Sequence, residues 1–259
     1  GNLVNNGVLD FAIATAGTGI FVTGNINSSF TGTGTTTDLY TLNIVKSARN
    51  VEVELNLSNF SVRDLDVAAT GALLPSSGTG TLKISGTNTF SGSLWSAAAY
   101  SIPSTLGFWL NNPNFSVTGQ TGSASVSGLF RISQGTYNIG TLADNSMGFN
   151  AASVIIVEGG TVNSTGRFGV GNAANVFSYT QSAGTINVGR VGNTSTTLAA
   201  FDLGTSSLST ISMGGGSIIV TIASTAATNP RDYRNQAGTG ITGVTAGTLQ
   251  LGDAGSGAA

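Results

Sequence analysis

Two strings 24 residues apart, Gly160-Thr161-Val162-Asn163-Ser164 and Gly184-Thr185-Ile186-Asn187-Val188, share one pattern: a glycine, then polar and apolar residues in alternation. The pattern returns at Gly80-Thr81-Leu82-Lys83-Ile84, Gly135-Thr136-Tyr137-Asn138-Ile139, Gly216-Ser217-Ile218-Ile219-Val220 and Gly247-Thr248-Leu249-Gln250-Leu251. The glycine-to-glycine steps are 55, 25, 24, 32 and 31. The first step is close to a doubled period, so a degenerate copy is expected between residues 80 and 135. Self-similarity at this spacing belongs to solenoids, propellers or arrays.

Period-two alternation places Ile186 and Val188 on one face of a strand and Thr185 and Asn187 on the other. A second strand precedes each glycine, with Phe130 and Ile132, Ile155 and Val157, Ile211 and Met213, and less regularly Tyr179 and Gln181 or Thr242 and Val244, facing inward. A third short stretch follows, at Arg167-Phe168-Gly169-Val170-Gly171-Asn172 and again at Gly189-Arg190-Val191-Gly192-Asn193. About three strands per repeat, joined by Gly and Asn that accept positive φ, make one coil of a β-helix. The expected fold is therefore all-β, a parallel β-helix (β-solenoid), of about ten levels at the strand spacing of ~4.8 Å. The outward Asn138, Asn163 and Asn187 are equivalent positions and candidates for a stacked amide ladder. Only Ser93 to Tyr100 has the makings of a helical turn, and the strand number per repeat does not suit a propeller blade.

Residues 1 to about 125 are more irregular, although Asp38 to Val45 and Val51 to Ser58 alternate well. Insertions are expected at Leu73 to Gly78 and at Trp95 to Pro113, a stretch that holds both tryptophans. With no shift of composition along the chain, 1–259 reads as a single continuous solenoid segment of a longer chain. Its end coils would otherwise be bare edge strands, so flanking coils are its first expected partners.

The chain has no Cys and no His among its 259 residues, which excludes disulfides, Cys/His zinc sites, thiol nucleophiles and imidazole catalysis. Charged residues make up 8% with a net charge of −2, unlike a nucleic-acid binder, and no apolar run is long enough for a membrane helix. Asp64 and Asp66 lie two apart on an expected strand and share a face, the arrangement of paired acids in glycosidases. No further acids or subsites align with them, and a solvated charge cluster is the stronger reading. The acids Asp144, Glu158, Asp202, Asp232 and Asp253 look isolated, and neither calcium-repeat nor EF-hand spacing occurs, so metal and cofactor sites are not expected. Gly214-Gly215-Gly216 and Gly166-Arg167-Phe168-Gly169 lack the lysine and helix of phosphate loops and read as turns. Arg231-Asp232-Tyr233-Arg234 reads as a solvated loop. Trp95, Tyr100, Phe108 and Trp109 are candidates to stack on sugar rings if exposed, against a stronger reading as local core. The candidate ligand-binding residues are thus Trp95, Trp109, Asp64 and Asp66; no catalytic residue is expected and the chain reads as a non-enzyme.

Val157 to Asn163, Tyr179 to Val188 and Ala246 to Asp253 resemble the β-strand repeats of very large Bacteroidetes cell-surface proteins, and Gly80 to Gly92 is similar to the autotransporter-associated strand repeat. The resemblance implies a β-helix exported by a type IX or autotransporter-like route and placed at the bacterial cell surface. It also implies work as an adhesin, a stalk or a surface filament, gliding adhesins included. Possible partners are then a surface glycan or substratum and the secretion or motility machinery. The alternative is a polysaccharide-binding or polysaccharide-cleaving β-helix.

Overall fold

The computed structural model describes residues 1–13, 16–62, 74, 77–95, 98–189, 198–221, 232–236 and 242–252. They form an all-β solenoid of about seven turns, about 25 residues and three strands to the coil, with no helix among the described residues. One side of the coil is a single parallel ladder in register. Its inward column runs Leu3, Phe30, Leu55, Ile84, Leu110, Ile132, Val157, Gln181, Met213 and Val244. This column counts rungs of the irregular N-terminal coils and of coils with insertions, which is why it exceeds the number of regular turns.

The second side stacks Val117, Tyr137, Val162, Ile186, Ile218 and Leu249. The third is a six-stranded sheet of Tyr100–Ile102, Ala124–Val126, Met147–Phe149, Phe168–Val170, Phe201–Asp202 and Tyr233–Arg234. In the first coils these sides are smaller sheets: Val8–Asp10, Thr36–Leu39 and Ser61–Val62 in one, Gly19–Gly24 with Thr41–Lys46 in another. The alternation works as expected: Ile186 and Val188 are buried while Thr185 and Asn187 stay half-exposed. Gln181, the polar member of the inward column, is fully buried; its amide oxygen accepts from the Tyr179 hydroxyl at 2.6 Å.

Four expectations are corrected. Gly80-Thr81-Leu82-Lys83-Ile84 does not stack with the other Gly-Thr strands: it pairs with Leu106 to Leu110, on the side that precedes the glycine elsewhere. The true equivalents of Thr136 and Tyr137 in that coil are Ser91 and Gly92, through Ser116 and Val117. A strand entered through a positive-φ glycine looks the same on any side, so the motif carries no information about phase. Next, the third strand after Val188 is Phe201–Asp202, which pairs with Phe168–Val170; Gly189 lies in no strand and 190–193 fall outside the described residues. Third, Ser93 to Tyr100 yields no helix where it is described: Trp95 bridges Leu74 and Tyr100 begins a strand. Last, the stretch from Trp95 to Pro113 is a working coil, its long strand Leu106–Thr118 spanning two sides.

Where the first side turns into the second, Gly135, Gly160, Gly184 and Gly216 all have positive φ, between 65° and 88°. At Gly184 (φ 74°) a Cβ would sit 2.5 Å from the Gly159 carbonyl oxygen of the coil below. Gly184→Ala therefore combines a left-handed backbone cost of about 1–2 kcal/mol with a displaced carbonyl. Thermal melting should show a clear loss, while Gly189→Ala, whose Cβ meets nothing closer than 3.6 Å, should melt within error of the parent.

Candidate functional site

Asp64 and Asp66 lie outside the described residues. Of the four aromatics considered as sugar platforms, three are core. Trp95 is fully buried, its ring stacked on Tyr100 at 4.7 Å and tilted against Phe108 at 5.8 Å. The indole Nε1 donates to the Tyr137 hydroxyl (2.9 Å), Tyr137 shares a 2.7 Å hydrogen bond with Tyr100, and Tyr100 donates to the Ile139 carbonyl (3.0 Å). The last bond fixes the direction of the others: Tyr137 accepts from Trp95 and donates to Tyr100. Burial pushes both phenols above their ordinary range, so the chain stays neutral.

Trp109 alone faces outward, half-buried, and it is already occupied. Its rung neighbours are Lys83 on one side and Arg131 on the other. Lys83 Nζ lies 4.6 Å from the ring centroid and Arg131 Cζ 3.7 Å, which leaves neither face open to a sugar. Glu54 pairs with Lys83 at 2.9 Å, and Glu158 takes a two-pronged contact from Arg131 with both bonds at 2.9 Å. Ser133 joins the ribbon, accepting from the Trp109 Nε1 at 2.8 Å and donating to Glu158 at 2.7 Å. Burial alone would raise the Glu158 carboxyl, but the Arg131 guanidinium and the Ser133 hydroxyl outweigh it and hold the group below the usual range. Glu158, expected to be isolated, is thus one end of a run across five coils in which Lys83 and Arg131 flank the Trp109 ring and Glu54 and Glu158 pair with them from outside.

A second ionic group is buried. Asp202 is fully buried, and Arg234 reaches it with Nε at 2.8 Å and Nη2 at 2.6 Å. Arg167 Nη2 approaches at 3.4 Å, and the backbone N–H groups of Ala199 and Gly204 donate at 2.8 Å each. The sequence reading of Asp202 as isolated and of Arg234 as part of a solvated loop is corrected here. Their separations, 32 and 35 residues, exceed the 25-residue period but are close to the steps of 32 and 31 at this end of the chain, a signal that the reading of the glycine strands did not carry over to the third side. Among the described residues no three Asp or Glu side chains gather as a metal site would require, and no helix is long and apolar enough to cross a membrane.

The outward amides do form a ladder: Asn187 Nδ2 donates to Asn163 Oδ1 at 2.9 Å, Asn163 to Asn138 at 2.8 Å, and Asn138 to the Thr118 hydroxyl at 3.1 Å. These are bonds internal to the sheet.

The open concave surface lies elsewhere, at a corner of the N-terminal coils. Three successive corners, 31–37, 58–61 and 86–89, enclose two connected hollows of about 510 Å³ and about 480 Å³ that share Ser58, Thr87 and Asn88. The larger adds Thr35, Thr36, Thr37, Asn59, Phe60, Ser61 and Thr89; the smaller adds Thr31, Gly32, Thr33, Asn56, Leu57 and Gly86. Not one of these residues is charged. Asparagines hold the corners in shape: Asn5 Nδ2 donates to the Thr36 carbonyl (2.7 Å), Asn59 to Gly34 (2.7 Å), and Asn112 to Asn88 Oδ1 (2.8 Å). Corner lengths vary from coil to coil, so this groove leaves no periodic trace in the sequence.

Comparison with protein-family models, with curated proteins and with solved structures finds no match to this chain.

Proposed function

We propose that this chain is a structural or adhesive segment of a large secreted cell-surface protein, an adhesin, stalk or surface filament of a bacterium. The observation that carries this reading is the unbroken parallel ladder from Leu3 to Val244, which ties each coil to the next through backbone hydrogen bonds and a common core. Such a rod supplies length and resistance to bending, and its Ser-, Thr- and Asn-rich surface with few charges suits contact outside the cell. The resemblance to giant surface proteins supports the same reading and extends it to type IX or autotransporter-like export, with gliding as one setting.

The test is electron microscopy of the source protein on and off the cell, with this segment labelled by antibody. Label along thread-like surface projections is the expected result. Label on compact, freely secreted particles would overturn it. A second reading, a polysaccharide-binding β-helix, is favoured by one feature: the uncharged hydroxyl- and amide-lined groove at the N-terminal corner.

A further inference from the structure

We propose that this corner groove holds a length of neutral polysaccharide chain; the inference rests on the polysaccharide-binding reading and gives it a site. The chemistry of the lining selects the ligand. An uncharged surface gives a carboxylated or sulfated chain no counter-charge, and it demands a ligand that both donates and accepts hydrogen bonds at short intervals. Sugar hydroxyls do so, while threonine methyls and the half-buried Phe60 offer apolar contact to ring C–H groups.

The groove divides into a fixed part and a free part. Ser58 Oγ is tied to the Gly32 carbonyl at 2.7 Å and Ser61 Oγ to Asp38 at 2.7 Å. The exposed hydroxyls of Thr35, Thr87 and Thr89 and the exposed Asn56 amide have no hydrogen-bond partner among the described residues. A rigid centre with unspent polar groups at its margins binds at little ordering cost.

The first-side strands that flank this corner offer an extended peptide no unpaired edge. Ser28–Gly32, Glu52–Leu57 and Gly80–Ile84 already have a parallel partner on each side. Two hollows joined across the corner suit a chain passing through more than a single terminal sugar.

The test is affinity electrophoresis of the whole chain through gels containing laminarin, mannan, xylan or dextran, with alginate and polygalacturonate as acidic comparisons. At least one neutral polysaccharide should retard the chain. The triple variant Thr35→Val, Thr87→Val, Thr89→Val should weaken that binding by about tenfold or more, since each lost hydrogen bond counts separately. Asn56→Asp, which keeps the shape and adds a charge, should weaken it too. The Thr161→Val, Thr185→Val variant, altered on the second side of later coils, should bind as the parent does. Circular dichroism and urea midpoints equal to the parent's establish that the groove variants are folded, and Asn56→Asp carries the test if the triple variant is not. Binding that survives the groove changes would overturn the site and leave the polysaccharide reading standing. Retardation by the acidic chains alone would overturn the ligand class. No retardation by any of the six would overturn both the inference and the reading on which it rests.

Discussion

Asp202→Ala lowers the unfolding free energy of the C-terminal coils by about 3–5 kcal/mol, the usual result of removing one partner from a buried ion pair. The loss has three parts, all read from the geometry. Arg234, itself only 6% exposed, keeps its charge without the carboxylate that accepts from Nε and Nη2. Arg167 loses a neighbour, and the Ala199 and Gly204 N–H groups lose their acceptor. Asp202→Asn should be nearly as costly, because the amide fills the space but no longer offers Arg234 and Arg167 the carboxylate charge. Urea unfolding followed by circular dichroism measures this; a midpoint close to the parent's in both variants would show that solvent reaches the cluster. Repeat arrays can unfold in stages, so the shift is to be read on the transition that involves these coils.

Trp95→Ala should cost about as much, in the range of 3–5 kcal/mol for a fully buried aromatic. Here the cavity and the polar chain act together. The indole fills the space between Tyr100 and Phe108, and its Nε1 supplies the donor to Tyr137. Trp95→Phe separates the two effects: most of the packing remains, and the lost indole donor leaves the Tyr137 oxygen short of a partner, a penalty of about 1–3 kcal/mol. If Trp95→Phe is as stable as the parent while Trp95→Ala is not, the hydrogen-bonded chain contributes nothing and packing carries the site.

The fold was legible wherever its period was short and constant. Val162, Ile186 and Ile218 on one side, and Phe130, Ile155, Tyr179 and Ile211 on another, are alternation patterns that translate directly into inward columns, and the Asn138–Asn163–Asn187 ladder follows from their outward neighbours. Phase was not legible. Gly80 opens a strand on one side and Gly135 on the next, yet both strings obey the same alternation, because a strand's period tells which residues point inward and not which sheet they join. The stretch around Trp95 and Tyr100 resisted for another reason: bulky aromatics replace the small aliphatic alternation, so a core coil looks like an insertion. Asp202 and Arg234 meet as rung neighbours of the third side, whose strands the glycine motif did not mark, and the groove depends on corners whose lengths no repeat rule governs. Asp64 and Asp66, the acids that the sequence singled out, belong to 63–73, outside the described residues.

The orientation of the ladder sets how this rod answers a pull. Hydrogen bonds between stacked strands point along the long axis, so a tether drawing the two ends apart loads them in tension one rung at a time, as a zipper opens, rather than all together in shear. A rod of this construction resists bending well and peeling poorly. Peeling from the C-terminal end, after the rungs beyond it have opened, meets Asp202, where Arg234 and Arg167 grip a single carboxylate from neighbouring coils across the third side. That buried clasp acts as a rip-stop, halting a tear that begins at one end before it runs into the aromatic coils behind it.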